Sequence, residues 1–311
     1  MEHVSVLLHE TVDALKVDPE GIYVDGTLGR GGHAGLLASK LKGGHLYAFD
    51  KDEQALAESQ ENLKEFRDRI TFIHSDFRAM RDELAARGIT GVNGIMMDLG
   101  VSSPQFDDPE RGFSYRYDAR LDMRMDRHQE KDAWTVVNTY TVGQLIRILK
   151  DYGEERYASS IAGNIEKARK IKPVNTTGEL VEIIRKSLPD KELRKKGHPA
   201  KQTFQALRIE VNDELGALRD GLENALELLV PGGRCAVITF HSLEDRIVKQ
   251  TFKDYSSAPF VEPKLPLTVQ QMEQASFHLV TAKPITAADE ELQENHRSHS
   301  AKLRVIERIR G

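Results

Sequence analysis

The chain has 311 residues, 39% of them hydrophobic and 30% charged, with a formal net charge of −5. This balance suits a globular chain and excludes a disordered one. The single cysteine, Cys235, excludes an internal disulfide framework and any paired-cysteine metal or redox site. No apolar run approaches the ~20 residues of a membrane span, and the apolar stretch near Met1 is too short for a signal peptide, so a cytoplasmic protein with no membrane partner is expected. The net charge hides an asymmetry. Residues 1–98 hold 11 Lys and Arg against 17 Asp and Glu, whereas residues 151–201 hold 12 against 8. The second segment either carries ordinary solvated faces or faces a polyanion.

In chain order, strands and helices alternate over the first hundred residues. Gly21-Ile-Tyr-Val-Asp25 predicts a short buried strand ending in an acid, followed by a glycine-rich turn and a helix through Leu36, Leu37 and Leu41. His45-Leu-Tyr-Ala-Phe-Asp50 is a second strand that also ends in Asp, and residues 52–65 have helical spacing. Ile70-Thr-Phe-Ile73 and Gly94-Ile-Met-Met-Asp98 are the third and fourth strands. This alternation implies βαβ units, a parallel sheet, and functional loops gathered at the carboxyl ends of its strands. Residues 104–135 hold no clear strand, and 141–200 read as helical, with capping boxes at Thr141/Gln144 and Thr176/Glu179. Leu215 to Leu229 make a long amphipathic helix ended by Pro231-Gly-Gly233, and Cys235-Ala-Val-Ile-Thr-Phe240 is a fifth strand. A helix near 243–254 and strands at 277–281 and 302–308 complete the chain.

The turn Asp25-Gly-Thr-Leu-Gly29-Arg-Gly31-Gly32-His33 lies between the first strand and its helix. Glycines there let the backbone turn tightly and approach a ligand, and Asp50, ending the next strand, can accept hydrogen bonds from both hydroxyls of a ribose. Gly29-x-Gly31-x-x-Ala34 also fits a dinucleotide-binding variant, so a nicotinamide oxidoreductase is a second reading. Two features favour S-adenosylmethionine. Asp25 would lie beneath the phosphates of a dinucleotide, where an acid is unwelcome, whereas an ammonium and a sulfonium tolerate it. Ser75-Asp76-Phe77 follows the third strand, where an adenine needs an apolar wall and a polar contact.

The fourth strand runs into Asp98-Leu-Gly-Val-Ser-Ser-Pro-Gln105. Ser103-Pro104-Gln105-Phe106 resembles in outline the polar-Pro-Pro-aromatic loop of amino-methylating enzymes, with Gln105 where a second proline is expected. An exocyclic amine conjugated to its ring is a poor nucleophile. A side-chain oxygen and a carbonyl stiffened by proline can bind its two N–H groups and turn its lone pair toward a methyl donor, so Ser103, Pro104 and Gln105 are the catalytic candidates.

With these motifs stand Glu110-Arg-Gly-Phe-Ser114, Leu121-Asp-Met-Arg-Met-Asp126, Tyr152-Gly-Glu-Glu-Arg156, Thr203-Phe-Gln-Ala-Leu-Arg208 and Phe240-His-Ser-Leu-Glu-Asp-Arg246. Together, almost end to end, they resemble the bacterial 16S ribosomal RNA cytosine-N4 methyltransferases, the RsmH or MraW family. The resemblance implies S-adenosyl-L-methionine as donor and a decoding-centre cytidine of 16S rRNA, within the small ribosomal subunit, as acceptor. It implies an α/β, Rossmann-like methyltransferase domain with a seven-stranded, mostly parallel sheet over 1–105 and 206–311. A helical insertion over 106–205 would recognise the RNA. Carried over motif by motif, the cofactor contacts fall on Gly31, Gly32, His33, Asp50, Phe77, Asp98 and Gln105. A homodimer is compatible with the sequence. The same fold could also serve a non-catalytic RNA-binding assembly factor.

Other residues carry competing readings. Arg111, Arg116, Arg120 and Arg124 stand among Phe113, Tyr115 and Tyr117, a mixture that suits RNA, but Asp118, Asp122 and Asp126 alternate with the arginines and could absorb them. Lys191, Arg194, Lys195, Lys196 and Lys201 are the stronger phosphate-contact candidates against a solvated loop. His241, Ser242 and Asp245 invite a hydrolase reading, but there is no nucleophile elbow and the groups are too close in sequence. His296 and His299 lack a third metal ligand, so no metal is expected. Cys235 reads as a core residue and Trp134 as a packing anchor.

Overall fold

The computed structural model describes residues 5–101, 105–106, 108–258, 275–295 and 297–310. The chain divides into two compact units, one of residues 1–100 and 216–311 and one of residues 101–215. The helix Lys201–Asn212 lies wholly in the second unit, because Phe204, Ala206, Leu207 and Val211 pack into that unit's core.

The first unit is built on β1 (Ile22–Asp25), β2 (His45–Asp50), β3 (Ile70–His74), β4 (Val92–Asp98), β5 (Leu229–Thr239), β6 (Phe277–Leu279) and β7 (Lys302–Arg308). They form one seven-stranded sheet in the order β3-β2-β1-β4-β5-β7-β6. β1 to β5 pair in parallel, and β7 runs antiparallel between β5 and β6. Among the described residues the helices α1 (Leu8–Ala14), α2 (Gly32–Lys40), α3 (Glu53–Asn62) and α4 (Met80–Ala85) punctuate the parallel half. Successive strand residues feed opposite faces, as a pleat of period two requires. Tyr23, Met96, Ala236 and Ile238 enter one apolar cluster with Leu37 and Leu41 of the α2 region. Val24, Ile95, Met97, Cys235 and Val237 enter another with Leu218, Leu222 and Phe252. Both faces are therefore covered, which is why these strands read as nearly continuous apolar runs.

This is a Rossmann-like α/β fold. The chain builds β1, β2 and β3 outward in one direction and then returns to place β4 on the other side of β1. Such a reversal opens a crevice at the carboxyl ends of the strands. β5 begins earlier than periodicity suggests, at Leu229, directly after the helix Glu214–Leu228. Pro231-Gly-Gly233 lies inside this strand, where the register against β4 shifts between Val92 and Gly94.

The second unit is helical, with helices at Ala133–Thr139, Val142–Asp151, Ala158–Arg169, Thr177–Ser187, Asp190–Leu193 and Lys201–Asn212. Its core gathers Leu145, Ile148, Leu149, Ile161, Ile165, Leu180, Ile184 and Leu207. Trp134 packs against that core, and its Nε1–H donates to Asn175 Oδ1 at 2.9 Å. The Thr141/Gln144 capping box is complete. At the other expected box, Thr176 Oγ1 accepts from the Glu179 N–H, but the Glu179 carboxylate turns to the Asn175 N–H and Lys172 instead. Among the described residues no helix is long and apolar enough to cross a membrane.

Candidate active site

The strand order sets β2, β1 and β4 side by side, so Asp50, Asp25 and Asp98 stand at three adjacent carboxyl ends. Asp25 is 2% exposed, and its Oδ1 accepts the Thr27 N–H at 3.0 Å. Asp50 accepts the Gly29 N–H on Oδ2 and the Asp52 N–H on Oδ1, each at 2.9 Å. The Asp98 N–H donates to Thr27 Oγ1 at 2.6 Å, and Asp98 Oδ1 accepts the Gly100 N–H at 3.2 Å. Burial pushes the Asp25 carboxyl up to about 7; the Thr27 N–H opposes this, and the charges of Asp98 and Asp50 add to it. Burial likewise pushes Asp50 up to about 6, against the N–H donors of Asp52 and Gly29 and the charge of Lys51, with the Asp52 charge adding. Like charges gathered in a desolvated place favour a cation among them.

The glycine turn is strapped to its neighbours at both ends. The Gly26 N–H donates to Met96 O and the Leu28 N–H to Phe49 O, each at 2.9 Å. Gly29 and Gly31 take φ of +52° and +82°, a region open to glycine at little cost. A side chain at Gly31 would also run into Leu63, and one at Gly32, the first residue of α2, would run into Ser5. Ser59 Oγ donates to Gly29 O at 2.6 Å, fixing the turn from α3. His33 is buried. Its Nε2 lies 3.0 Å from the Val6 carbonyl, which can only accept, so that nitrogen carries a hydrogen, and Nδ1 lies 3.9 Å from Asp98 Oδ2.

Phe77 opens a single 3₁₀ turn after β3, capped by Asp76, whose Oδ1 accepts the Arg78 N–H at 3.0 Å. Asp76 is further held by Lys51 at 3.5 Å. The Phe77 ring lies against the backbone of Gly221, on the helix Glu214–Leu228, where a methyl group would strike it, and its Cβ sits beside Gly26, where a methyl group would meet Met97 Cγ first. Gly31, Gly32, His33, Asp50, Phe77 and Asp98 are thus gathered around one strand-end cluster. Gln105 is 5% exposed and belongs to the second unit. Ser103 and Pro104 lie outside the described residues, as does His296.

Three residues of this cluster were not singled out by sequence reasoning. Thr27 clamps the β1 turn to β4, Ser59 holds the turn from a helix distant in sequence, and Gly221 makes room for Phe77. Only Thr27, inside the glycine motif, carried a local signal.

Elsewhere in the first unit, His241 is the N-cap of the helix Ser242–Tyr255, and its Nδ1 accepts the Glu244 N–H at 3.4 Å. Glu244 Oε2 accepts from the Phe240 and His241 N–H groups at 2.8 and 3.2 Å. Burial would raise Asp245, but hydrogen bonds from Arg304 at 2.7 Å and Lys302 at 3.1 Å outweigh it and hold the carboxyl below its usual range. A Ser-His-Asp relay is therefore absent here, because the histidine caps a helix and the aspartate serves β7. Cys235 is fully buried, and burial pushes its thiol up to about 12, as suits a core residue.

In the second unit, three of the four arginines of 110–126 are held internally. Arg111 is buried, and its Nη2 donates to the carbonyls of Arg124 and Met125 at 2.9 and 3.1 Å. Arg124 grips Asp122 with two bonds of 2.9 and 2.8 Å. Arg120 bridges Asp122 at 3.1 Å and Asp132 at 2.6 Å. Arg116 and Tyr117 are exposed. Of the later basic run, Lys191, Arg194, Lys196 and Lys201 are exposed, and Lys195 pairs with Glu192 at 2.6 Å.

Comparison with known proteins adds sequence relationships to this geometry. A curated relative, ribosomal RNA small subunit methyltransferase H of Streptococcus dysgalactiae subsp. equisimilis, is 54% identical over 311 residues, covering 99% of this chain and 98% of its own. Among solved structures, an rRNA methylase from Streptococcus thermophilus aligns over 99% of both chains at a TM-score of 0.45 and 13% identity. TrmN from Thermus thermophilus aligns over 97% of this chain and 48% of its own at 0.43 and 15%. The model of the MraW methylase family matches residues 1–309, and the chain, a methyltransferase by that descent, belongs to this family.

Proposed function

We propose that this protein methylates 16S rRNA of the small ribosomal subunit in the cytoplasm, using S-adenosyl-L-methionine, and that the acceptor is the exocyclic N4 of a decoding-centre cytidine. The observation that carries the cofactor reading is the trio Asp25, Asp50 and Asp98 at the strand ends around a glycine turn, an acidic cluster with Asp25 buried and the other two half-buried, suited to a cationic ligand. The rRNA acceptor is supported by the small-subunit rRNA methyltransferase named above, 54% identical to this chain.

When bound, the cofactor supplies a methyl group on a cationic sulfur. Asp50 keeps lone pairs beyond those engaged by Gly29 and Asp52, and these can accept the ribose hydroxyls. Phe77, backed by Gly221, offers an apolar wall for the adenine. Gly31, Gly32 and His33 shape the turn beside the methionyl end, with His33 held by Val6 and facing Asp98. Gln105 is assigned to both cofactor and acceptor, and Ser103 and Pro104 to the acceptor amine. Their task is to bind its two N–H groups and aim the nitrogen lone pair, so positioning supplies most of the rate. No strong base is needed, because the proton leaves after the nitrogen has become cationic. The helical 106–205 segment is assigned to RNA recognition.

The test is calorimetry together with nucleoside mass spectrometry. Wild type should bind S-adenosylmethionine, and rRNA from a strain lacking the gene should lose one N4-methylated cytidine that purified enzyme restores on isolated small subunits. Absence of binding, or an unchanged nucleoside profile, would sink the reading.

A further inference from the structure

The arginines of 110–126 separate into two kinds. Arg111, Arg120 and Arg124 are held by carbonyls or carboxylates of their own unit. Among the described residues the Arg116 guanidinium has no such partner, although its backbone is fixed: the Arg116 N–H donates to Ser114 Oγ at 3.1 Å. The chain beyond is pinned to the start of the helix Thr177–Ser187. Thr177 Oγ1 donates to Tyr117 O at 2.7 Å and accepts the Ala119 N–H at 3.0 Å, while Asp118 Oδ1 accepts the Gly178 N–H at 3.0 Å. Arg116 and Tyr117, the latter 51% exposed, are thus presented on a rigid loop.

Next to them, the Tyr115 and His198 rings stack at 4.2 Å with 11° between planes, and Tyr115 meets Phe204 edge-on at 5.6 Å. His198 Nδ1 accepts the Ala200 N–H at 3.2 Å, so Nε2 carries the ring hydrogen as a donor. Burial first, then the charges of Arg185 and Arg116, hold this histidine below its ordinary value. Both charges acting on the ring are cations, and the nearest acid to Arg185 is Glu182, at 3.9 Å on its own helix. An Arg116 unpaired among the described residues, close to a loosely paired Arg185, with an imidazole donor and an exposed aromatic, forms the complement of a phosphate and an unstacked base.

Resting on the reading that the substrate is RNA, we propose that Tyr115, Arg116, Tyr117, Arg185 and His198 form the surface on which this protein docks RNA. Arg116, Arg185 and His198 Nε2–H take backbone phosphate, and Tyr117 takes a base. The lysines of 191–201 are secondary: they offer point charges, it is His198 of that run that joins the aromatic platform, and Lys195 is already engaged.

The test uses the full chain, protein-free 16S rRNA and isolated small subunits, with binding followed across salt concentrations. Arg116→Gln/Arg185→Gln should weaken binding to protein-free rRNA about tenfold or more and lower the salt slope by about 1 for each phosphate contact removed. Lys40→Gln/Lys64→Gln, which removes two charges from the first unit, should change neither. Calorimetry with S-adenosylmethionine and urea unfolding report that the variants remain folded. If wild type binds rRNA and the double variant binds with equal affinity and slope, the docking surface is wrong while the rRNA reading stands. If wild type binds neither rRNA nor subunits, both fall. If the loss appears on subunits but not on protein-free rRNA, the face meets a protein and the proposal is overturned.

Discussion

The acid cluster of the first unit and the arginine loop of the second spend their charge in opposite ways. Asp25, Asp50 and Asp98 are gathered with like charges and backbone donors, and their burial raises two of them toward neutral pH. Arg120 and Arg124 meet Asp122 and Asp132 directly, and Asp122 shows the consequence. Burial would raise it, yet hydrogen bonds from Arg124 and the charges of Arg124 and Arg120 hold it below its usual range. Charge answered within the fold holds the fold together; charge of one sign left together destabilises the free protein and awaits a ligand. By that criterion Arg116 resembles the acid cluster rather than Arg120 and Arg124, and Arg185, met by Glu182 at 3.9 Å, stands between the two.

The contrast can be broken at its strongest point first. Asp122→Ala removes the buried carboxylate shared by Arg120 and Arg124, which keep Asp132 and the Arg127 and Gln129 carbonyls respectively, and should lower unfolding free energy by about 2–3 kcal/mol in urea melts of the second unit's signal. It should leave S-adenosylmethionine affinity unchanged. Asp50→Ala should do the reverse, weakening that binding about a hundredfold by calorimetry, as loss of charge-assisted hydrogen bonds implies. A stability loss with intact binding would count against Asp50 as a ligand group.

Asp25 sharpens the same point through pH. Its folded value, about 7, lies above that of the unfolded chain, so the free folded protein binds the extra proton and its stability falls as pH rises from about 4 to about 7. A cationic ligand reverses the preference, so affinity for S-adenosylmethionine should climb over the upper part of that window and level off above it. Asp25→Asn should reduce the slope of both the thermal midpoint and the calorimetric affinity against pH, leaving the part below about 6 that Asp50 contributes; curves that keep the wild-type slope would remove Asp25 from the linkage. The smallest effect concerns the two helix starts of the second unit. Thr141→Ala, which breaks a complete capping box, and Thr176→Ala, which removes one capping bond, should each cost about 1 kcal/mol or less, with Thr141 the larger of the two in urea melts.

Much of the parallel half was legible because its signals are local. The acids ending β1, β2 and β4 stood in plain view, and outside that half the prediction at 302–308 matches the antiparallel β7. The boundary errors have physical causes. β5 starts six residues before the predicted Cys235, because pairing with β4 carries the strand through Pro231-Gly-Gly233, which in isolation reads as a stop. The Thr176 box is half made because Lys172 and the Asn175 N–H compete for Glu179. The His241 capping box was missed because histidine is not a usual cap, and the same residues suggested a hydrolase instead.

The sequence by itself determined the periodicities, the glycine turn with its flanking acids, and the family, since all of these are written in short contiguous motifs. Only the tertiary structure decided which charges are compensated. Arg116 and Arg120 look alike in sequence, and what separates them is that Asp132 comes within 2.6 Å of one while no acid of the described chain reaches the other. In the same way, strand order alone made neighbours of Asp25, Asp50 and Asp98. Ion pairing and desolvation depend on distances in space of a few ångströms, and spacing along the chain does not fix those distances.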